Sequence, residues 1–256
     1  MPAIEDLDRT TDALRLAGCV AAEEEAVELL EAAGNDTTLL ESLVTRRCSG
    51  EPLAWLTGSV RFCGERVLVH GGVFVPRWQS EPLALAALDR LPGAGVAVEL
   101  CCGAAAIATV LRHHRPRARV LGCDTDPLAV TNARANGIEA FLGDLTAPLP
   151  SSLSGRVDVV VAVVPYVPTG ELVHLPRDVL EHEPLRSLDG GVDGLELLRR
   201  AALETVGLLR PGGSLLLELG GDEAALLEPL LADNGYRDFE VMCDEDGDTR
   251  AVCCRR

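Results

Sequence analysis

Residues 96–110 constrain the fold of this chain more than any other segment. They begin with small and branched residues that lead to Glu99, pass through Cys101-Cys102-Gly103 and continue as a run of alanine, isoleucine, threonine and valine. This order predicts a strand, a tight turn and a helix, the unit that opens a doubly wound α/β domain and forms a nucleotide site at the strand's end. Asp124 ends the next apolar run, roughly 20 residues beyond the turn, where it can accept hydrogen bonds from ribose hydroxyls.

The turn and the basic residues exclude several cofactor classes. Gly103 is the only glycine of the turn, which therefore lacks the G-x-G-x-x-G spacing of a dinucleotide-binding loop, and a nicotinamide oxidoreductase is disfavoured. The chain has no lysine, since all 23 basic residues are arginine. A Schiff-base lysine, a pyridoxal phosphate anchor and a P-loop lysine are excluded for that reason.

Composition predicts a cytoplasmic protein with a full core. At 256 residues and 47% hydrophobic content, the chain fits one large domain with a smaller unit attached. A formal charge of −17 argues against a nucleic-acid partner, because the phosphate backbone would be repelled. We expect no membrane association, because no apolar run is long enough for a transmembrane helix and the acidic N-terminal segment is unlike a secretory signal.

The nine cysteines predict neither a metal site nor a disulfide framework. None stands in a C-x-x-C motif, and Cys101-Cys102 and Cys253-Cys254 are adjacent pairs with poor spacing for either role. We therefore expect reduced, buried thiols that pack as small apolar side chains.

The residue pattern divides the chain into three parts. Residues 1–58 predict a helical N-terminal domain, residues 59–76 a β-hairpin linker, and residues 77–256 a large α/β domain. The first two parts are expected to contain helices over 4–33 and 37–47, a loop over 50–58, and hairpin strands over 60–69 and 73–75 around a Gly71-Gly72 turn. In the large domain we expect strands over 96–100, 119–123, 140–142, 157–164, 214–219, 239–242 and 250–254, and helices over 80–91, 104–113, 127–136, 193–206 and 222–234.

Polar or aromatic residues follow four consecutive strands of the large domain. Glu99 lies at the end of the first strand, Asp124 of the second and Asp144 of the third, and Pro165-Tyr166 follows the fourth. In an open α/β sheet the carboxyl ends of the parallel strands face one crevice. These groups are therefore expected to line a common site.

Several ordered blocks of this chain resemble one enzyme family. The blocks are Thr45-Arg-Arg-Cys-Ser-Gly-Glu-Pro-Leu-Ala-Trp-Leu-Thr-Gly58, Val75-Pro-Arg77, Cys123-Asp124, Gly143-Asp144, Pro165-Tyr166-Val-Pro168, His182-Glu-Pro184 and Leu188-Asp-Gly-Gly-Val-Asp-Gly194. With them the chain resembles the class I methyltransferases that use S-adenosylmethionine, and more closely the protein-(glutamine-N5) methyltransferases that modify peptide-chain release factors. The resemblance implies a Rossmann-like sheet, bound S-adenosylmethionine and a methyl acceptor that is either a protein side chain or a small molecule.

The resemblance also implies roles for residues at the strand ends. The loop after the first strand would wrap the methionine part of the cofactor, Asp124 would hold the ribose hydroxyls, and Asp144 with Leu145 would lie beside the adenine. The implied cofactor site consists of Glu99, Cys101, Cys102, Gly103, Ala104, Ala105, Asp124, Asp144, Leu145 and Val163. Cysteine and alanine are small enough for close approach, but they lack the freedom of glycine at positive φ.

The implied catalytic motif departs from the family pattern. Members carry Asn-Pro-Pro-Tyr after the fourth strand, where this chain has Val163-Val164-Pro165-Tyr166. The asparagine oxygen and a neighbouring carbonyl would accept the two hydrogens of a glutamine amide, which orients a weakly nucleophilic nitrogen. Val163 has no such acceptor, and losing a placed polar contact costs about 2.7–4 kcal/mol of transition-state stabilisation.

The implied site assigns catalysis and acceptor binding to overlapping residues. The catalytic set is Val164, Pro165 and Tyr166, and the acceptor-binding set is Phe62, Phe74, Arg77, Val163, Val164, Pro165 and Tyr166. Trp78 is expected beside Phe62 and Phe74 at the mouth of the site, although the two phenylalanines can equally pack the hairpin against the large domain. Three functions remain open: N-methylation of another acceptor, glutamine methylation despite the altered motif, and non-catalytic binding of cofactor or a partner.

Overall fold

A seven-stranded sheet organises the large domain, and a separate two-stranded hairpin precedes it. The structure, a computed structural model, describes residues 4–175 and 177–256. The strands are β1 (Ser59–Phe62), β2 (Glu65–Leu68), β3 (Val96–Leu100), β4 (Arg119–Asp124), β5 (Glu139–Leu142), β6 (Val157–Ala162), β7 (Leu209–Glu218), β8 (Arg237–Cys243) and β9 (Thr249–Arg255). The helices are α1 (Ile4–Leu16), α2 (Ala22–Ala33), α3 (Thr37–Cys48), α4 (Leu53–Thr57), α5 (Glu81–Arg90), α6 (Ala106–His114), α7 (Pro127–Ala135), α8 (Arg177–His182), α9 (Glu196–Thr205) and α10 (Glu223–Asp233).

The strand order β5-β4-β3-β6-β7-β9-β8 confirms the doubly wound α/β prediction. Strands β3 to β7 run parallel, whereas β9 is antiparallel to both of its neighbours, β7 and β8. Strand β3 lies between β4 and β6, so the winding reverses there. A crevice opens at such a reversal, beyond the carboxyl ends of the strands.

Alternating side chains of the buried strands pack into two apolar layers, one on each face of the sheet. In β6, Val159 and Val161 pack toward the layer that holds α5 and α6, whereas Val160 and Ala162 pack toward the layer that holds α9 and α10. This period of two explains why β6 consists of β-branched and small residues, since both of its faces are covered. Helices α1 to α4 pack around a third, smaller cluster that includes the fully buried Leu14 and Leu29.

The structure corrects the expected N-terminal elements. The single helix expected over 4–33 is two helices, and the break between them contains Gly18 at φ 89° and a fully exposed Val20. The loop expected over 50–58 contains α4, which ends at Gly58 in the left-handed conformation. Apolar spacing alone missed this break because the pattern on either side of it stays helical.

The expected hairpin turn was wrong. Strands β1 and β2 pair Val60 with Val67, and the turn between them is Cys63-Gly64, with φ of 49° and 80°. Two successive positive φ values match the right-handed twist of a two-residue hairpin, which explains the tight connection. Gly71-Gly72 lies beyond the hairpin, so the paired strands end at Leu68.

Other boundaries shift near the site. Strand β6 ends at Ala162, two residues before the expected end at 164. Strand β7 starts at Leu209, five residues before the expected start at 214, because its pairing with β6 jumps from Val157–Leu209 to Val159–Ser214 and so includes Pro211-Gly-Gly213. The other expected strands and helices of the large domain are confirmed within a few residues.

The cysteines and the helices bear on two further expectations. All nine cysteines are free thiols, and Cys102, Cys123, Cys253 and Cys254 are buried as expected. The expectation was wrong for Cys243, which is exposed. In the ranges 4–175 and 177–256, no helix combines the length and the apolar content that crossing a bilayer requires.

Candidate active site

The carboxyl ends of the parallel strands surround a cavity of about 680 Å³. The structure brings nearly all of the predicted site residues to its wall. They are Phe62, Phe74, Arg77, Glu99, Cys101, Cys102, Gly103, Ala104, Asp124, Asp144, Leu145, Val163, Val164, Pro165 and Tyr166. Ala105 does not line the cavity, because its side chain is fully buried in the apolar layer beneath.

The sheet order divides the cavity into two halves. The loop after β3 and the ends of β4 and β5 carry the residues implied for the cofactor, and we call this side the nucleotide half. The ends of β6 and β7 lie on the other side of β3 and carry residues 163–166 and Glu218, and we call this side the acceptor half.

The loop after β3 adopts positive φ at residues that are not glycine. Cys101, Gly103 and Ala105 have φ of 51°, 51° and 58°. A left-handed conformation costs a residue with a Cβ about 1–2 kcal/mol, so tertiary contacts must hold it. One such contact joins the Cys102 amide to the Cys123 carbonyl at 3.0 Å. The loop thus takes a glycine-like path with only one glycine.

Glu99 is committed to the amino end of α6. Its Oε2 accepts a hydrogen bond from the Ala108 amide at 2.7 Å, and its side chain is almost completely buried. Burial raises the pKa of Glu99 to about 8, and the backbone donors Ala108 and Ile107 oppose that rise only in part. Glu99 therefore braces the helix that follows the loop as well as facing the cavity.

Asp124 joins two loops of the nucleotide half. Its Oδ2 accepts from the Gly103 amide at 2.8 Å and its Oδ1 accepts from the Asp126 amide at 2.9 Å. Burial raises the pKa of Asp124, and these two backbone donors counteract the rise. Asp126, rather than Asp124, caps α7 through the Leu128 amide. Asp124 is thus left facing the cavity.

Asp144 and Leu145 close the far side of the nucleotide half. Asp144 is half exposed and pairs with Arg200 at 2.7 Å, so its carboxylate is partly committed to α9. Leu145 is buried and has a φ of 44°, which turns the chain sharply after β5. Leu145 gives the cavity an apolar wall at that point.

Two ion pairs link the segment after α8 to the rest of the cavity wall. Arg186 pairs with Asp126, and Arg77 pairs with the buried Glu183. The guanidinium of Arg77 also lies 5.1 Å from the centre of the Phe74 ring, within cation–π range. Sequence reasoning did not assign Glu183 or Arg186 a role, although Glu183 belongs to the block His182-Glu-Pro184.

Two glycines pack directly on the backbone of the motif. A Cβ on Gly190 would lie 2.6 Å from the Tyr166 Cα, and one on Gly194 would lie 2.3 Å from the Tyr166 carbonyl oxygen. The Val167 amide donates to the Leu188 carbonyl at 3.0 Å, which adds a strand-like contact. The block 188–194 therefore fixes the position of Tyr166 and needs glycine to do so.

Glu218 is a further site residue that sequence reasoning missed. It is the last residue of β7, it lines the acceptor half, and its Oε1 accepts a hydrogen bond from the Tyr166 hydroxyl at 3.3 Å. Burial raises the pKa of both Glu218 and Tyr166. The strand-end rule that identified Asp124 and Asp144 would have found Glu218 if it had been extended to the fifth parallel strand.

The predicted aromatic cluster is only partly assembled. Phe62 and Phe74 line the cavity. Phe62 also belongs to the buried core, so it both lines the site and packs the hairpin against the large domain. Trp78 was misplaced, because it is 71% exposed and does not belong to the cavity wall. The turn at residues 78–80 directs it outward while Gln79 and Ser80 face the cavity.

The charges of the cavity fit a cationic nucleoside cofactor. Five acidic side chains line the wall, at Glu99, Asp124, Asp126, Asp144 and Glu218. The arginines of the wall are each paired with a carboxylate: Arg77 with Glu183, Arg186 with Asp126 and Arg250 with Asp244. Carboxylates suit an ammonium, a sulfonium and ribose hydroxyls, which are three of the polar groups of S-adenosylmethionine. Among the residues described, no three His, Cys, Asp or Glu side chains are grouped as a metal site.

Comparison with solved structures supports the fold. A methyltransferase from Pyrococcus furiosus matches with a TM-score of 0.54 and 18% identity, over 75% of this chain and 89% of that one. A ribosomal protein L11 methylase from Lactobacillus delbrueckii subsp. bulgaricus matches with a TM-score of 0.52 and 16% identity, over 74% of this chain and 85% of that one. At such identities the likeness concerns the fold alone.

Comparison with curated proteins identifies the family. No family model matches the chain. A release factor glutamine methyltransferase from Moorella thermoacetica is 39% identical, over 83% of this chain and 78% of that protein. A 4-amino-L-phenylalanine/4-methylamino-L-phenylalanine methyltransferase from Streptomyces pristinaespiralis is 37% identical, over 75% of this chain and 69% of that protein. The chain therefore belongs to the release factor glutamine methyltransferase family and is an S-adenosylmethionine-dependent methyltransferase.

Proposed function

We propose that this enzyme N-methylates an acceptor other than the release-factor glutamine. The observation that carries the proposal is Val163, which occupies the cavity wall where the family motif has asparagine. An amide nitrogen shares its lone pair with the carbonyl, so it needs placed acceptors for its hydrogens before it can attack a methyl group. The side chain of Val163 provides none.

An amine acceptor removes this requirement. Its nitrogen keeps its lone pair and needs orientation more than activation. The Streptomyces pristinaespiralis relative is named as a methyltransferase of 4-amino-L-phenylalanine and 4-methylamino-L-phenylalanine, which supports amine-bearing acceptors at this level of similarity. S-adenosylmethionine supplies an electrophilic methyl group on a positively charged sulfur.

The residues of the two halves would divide the work. We infer that residues 101–104, Asp124, Asp144 and Leu145 hold the cofactor, with Glu99 near its ammonium group. Residues 163–166, Phe62, Phe74 and Arg77 would hold the acceptor. The chain organisation predicted from sequence fits this division, with residues 1–58 and 59–76 outside the cofactor fold.

Glutamine methylation is the second candidate, favoured by the 39% identity to the Moorella thermoacetica protein. The two are separated by the Val163→Asn variant assayed on a release-factor peptide that contains the glutamine. We expect weak transfer by the wild type and a gain of about 10²–10³-fold in kcat, the reverse of losing one placed polar contact.

The control is Val241→Asn, which changes a half-exposed valine on β8 away from the cavity. It should leave transfer to the peptide unchanged. Efficient transfer by the wild type, with no gain in Val163→Asn, would refute the proposal and favour the second candidate. Calorimetry with S-adenosylhomocysteine on each variant verifies that the nucleotide half is intact.

A further inference from the structure

Two oxygen atoms in the cavity wall are buried without a hydrogen-bond partner. They are Oε1 of Gln79 and Oε2 of Glu218, the two such side-chain atoms in the described part of the chain. Glu218 is only 8% exposed, and both residues line the cavity. A buried acceptor without a donor is destabilising, and its presence at a cavity wall indicates that a ligand supplies the donor.

Glu218 is held so that Oε2 stays open. The Tyr166 hydroxyl donates to Oε1 at 3.3 Å, which fixes the orientation of the carboxyl group. Strand β7 pairs directly with β6 and aligns Leu217 with Ala162, so the open oxygen lies beside the motif that follows β6. Gln79 reaches the same cavity from the turn before α5.

The charged groups around Glu218 disfavour an anionic ligand. Arg250, the arginine of the cavity wall whose charge acts to lower the pKa of Glu218, pairs with Asp244 through contacts of 2.7 and 2.6 Å. Burial raises the pKa of Glu218, and Ser80, Tyr166 and Arg250 oppose this only in part. An anionic ligand would therefore meet a carboxyl group without a free cation, whereas a donor of N–H groups would complete it.

The two open atoms also select the functional group. Both are acceptors, so they match a group with two hydrogens to donate and no acceptor that needs a partner. A primary amine has both properties, and its lone pair remains available to attack a methyl group. A hydroxyl group can supply one hydrogen only, and a glutamine amide brings a carbonyl oxygen that neither atom can satisfy.

We propose that Oε2 of Glu218 and Oε1 of Gln79 receive the two N–H hydrogens of a primary amine, which is the methyl acceptor. This inference rests on the proposed function and names its substrate class. The apolar walls contributed by Phe62, Phe74 and Val163 fit an apolar body that carries the amine. The acceptor is thus a compact apolar molecule with an exposed amino group.

The test compares three probes that differ at one position. These are 2-(4-aminophenyl)ethanol, 2-(4-hydroxyphenyl)ethanol and 2-(4-methylphenyl)ethanol, which place NH₂, OH and CH₃ on the same ring and carry no second amine and no carboxylate. Their binding to the S-adenosylhomocysteine complex of the wild type is measured by calorimetry. We expect the amine to bind about 10–100-fold more tightly than the methyl analogue, the range for hydrogen bonds to a charged group, with the phenol between them.

Two substitutions of Glu218 test the assignment. Glu218→Met removes the acceptor at similar length, and Glu218→Gln keeps the shape while exchanging an oxygen for a donor. In Glu218→Met the preference for the amine over the methyl analogue should fall below twofold, while affinity for S-adenosylhomocysteine stays within twofold of wild type. Glu218→Gln should show a reduced preference. Glu240→Gln, on the exposed face of β8, is the matched control and should keep the full preference.

The outcomes separate this inference from the proposed function. Equal binding of the amine and its methyl analogue to the wild type would overturn the inference, as would no amine binding at millimolar concentration. A preference retained in Glu218→Met with intact cofactor binding would overturn it as well. Efficient methylation of a release-factor glutamine by the wild type would instead refute the proposed function, and that assay does not depend on the amine probes.

Discussion

Glu99 is a buried carboxyl group whose ionisation works against folding. Its pKa is 4.5 in an unfolded chain and about 8 in the folded protein, because burial penalises the charge more than the Ala108 and Ile107 amides stabilise it. A group whose pKa is raised on folding contributes stability that is complete below the unfolded pKa and is lost as the pH rises through the folded one. Linkage over these two values gives a loss of about 4 kcal/mol between pH 5 and pH 9.

The substitution Glu99→Gln removes this titration while its amide oxygen can still accept from Ala108. We therefore expect the difference in unfolding free energy, variant minus wild type, to increase by about 4 kcal/mol from pH 5 to pH 9. Urea unfolding at pH 5, 7 and 9 measures it. The control Glu139→Gln removes an exposed carboxylate whose pKa is lowered by a hydrogen bond from Arg119, so it should show no such increase. A difference that is flat with pH would refute the reasoning.

The pH dependence of cofactor binding provides a second test of the raised pKa of Glu99. If the ammonium of the cofactor meets Glu99, binding favours the carboxylate and expels the proton that the free protein holds below pH 8. Affinity for S-adenosylhomocysteine should then increase between pH 6 and pH 8 in the wild type and less so in Glu99→Gln. Identical pH profiles for the two proteins would place the ammonium away from Glu99.

Two further predictions concern the segments that frame the cavity. Gly194→Ala should destabilise the protein by at least about 2 kcal/mol and lower methyl transfer, because the added Cβ would clash with the Tyr166 carbonyl oxygen. The control is Gly247→Ala, which is also at positive φ but has open space around it. It should lower the free energy of urea unfolding by only about 1 kcal/mol. Equal effects would exclude the clash as the cause. Asp126→Ala should lower the stability of the protein by about 1–2 kcal/mol, because it removes the N-cap of α7. Asp126→Asn should keep most of the cap and lose only the ion pair with Arg186. Equal losses of stability in thermal unfolding would contradict the capping role.

Much of the architecture was predictable because the large domain obeys local rules. The alternation of β-branched strands with amphipathic helices predicted a parallel sheet, and the residues after each strand predicted where the cavity would lie. Asp124 and Tyr166 reach its wall for that reason. These predictions required only the spacing of apolar residues along the sequence and the parallel direction of the strands.

The missed features depend on contacts between distant residues. The hairpin turn at Cys63-Gly64 was missed because Gly71-Gly72 is the stronger local turn signal, and the pairing of Val60 with Val67 decides between them. The left-handed conformation of Ala105 has no local signal either. It depends on a loop path that is fixed partly by Asp124 on the neighbouring strand.

The polar groups of the two halves are satisfied in different ways, and this bears on how acceptors can differ within the family. In the nucleotide half, Glu99 and Asp124 accept backbone hydrogen bonds that hold the loops in place without a ligand. In the acceptor half, Glu218 keeps an oxygen open toward the cavity. Substitutions in the acceptor half change which ligand group can donate to the open oxygen, and they leave the backbone hydrogen bonds of the nucleotide half in place. The acceptor can therefore change while the cofactor stays the same. We therefore expect a substitution at Val163, in the acceptor half, to alter the acceptor without altering the fold.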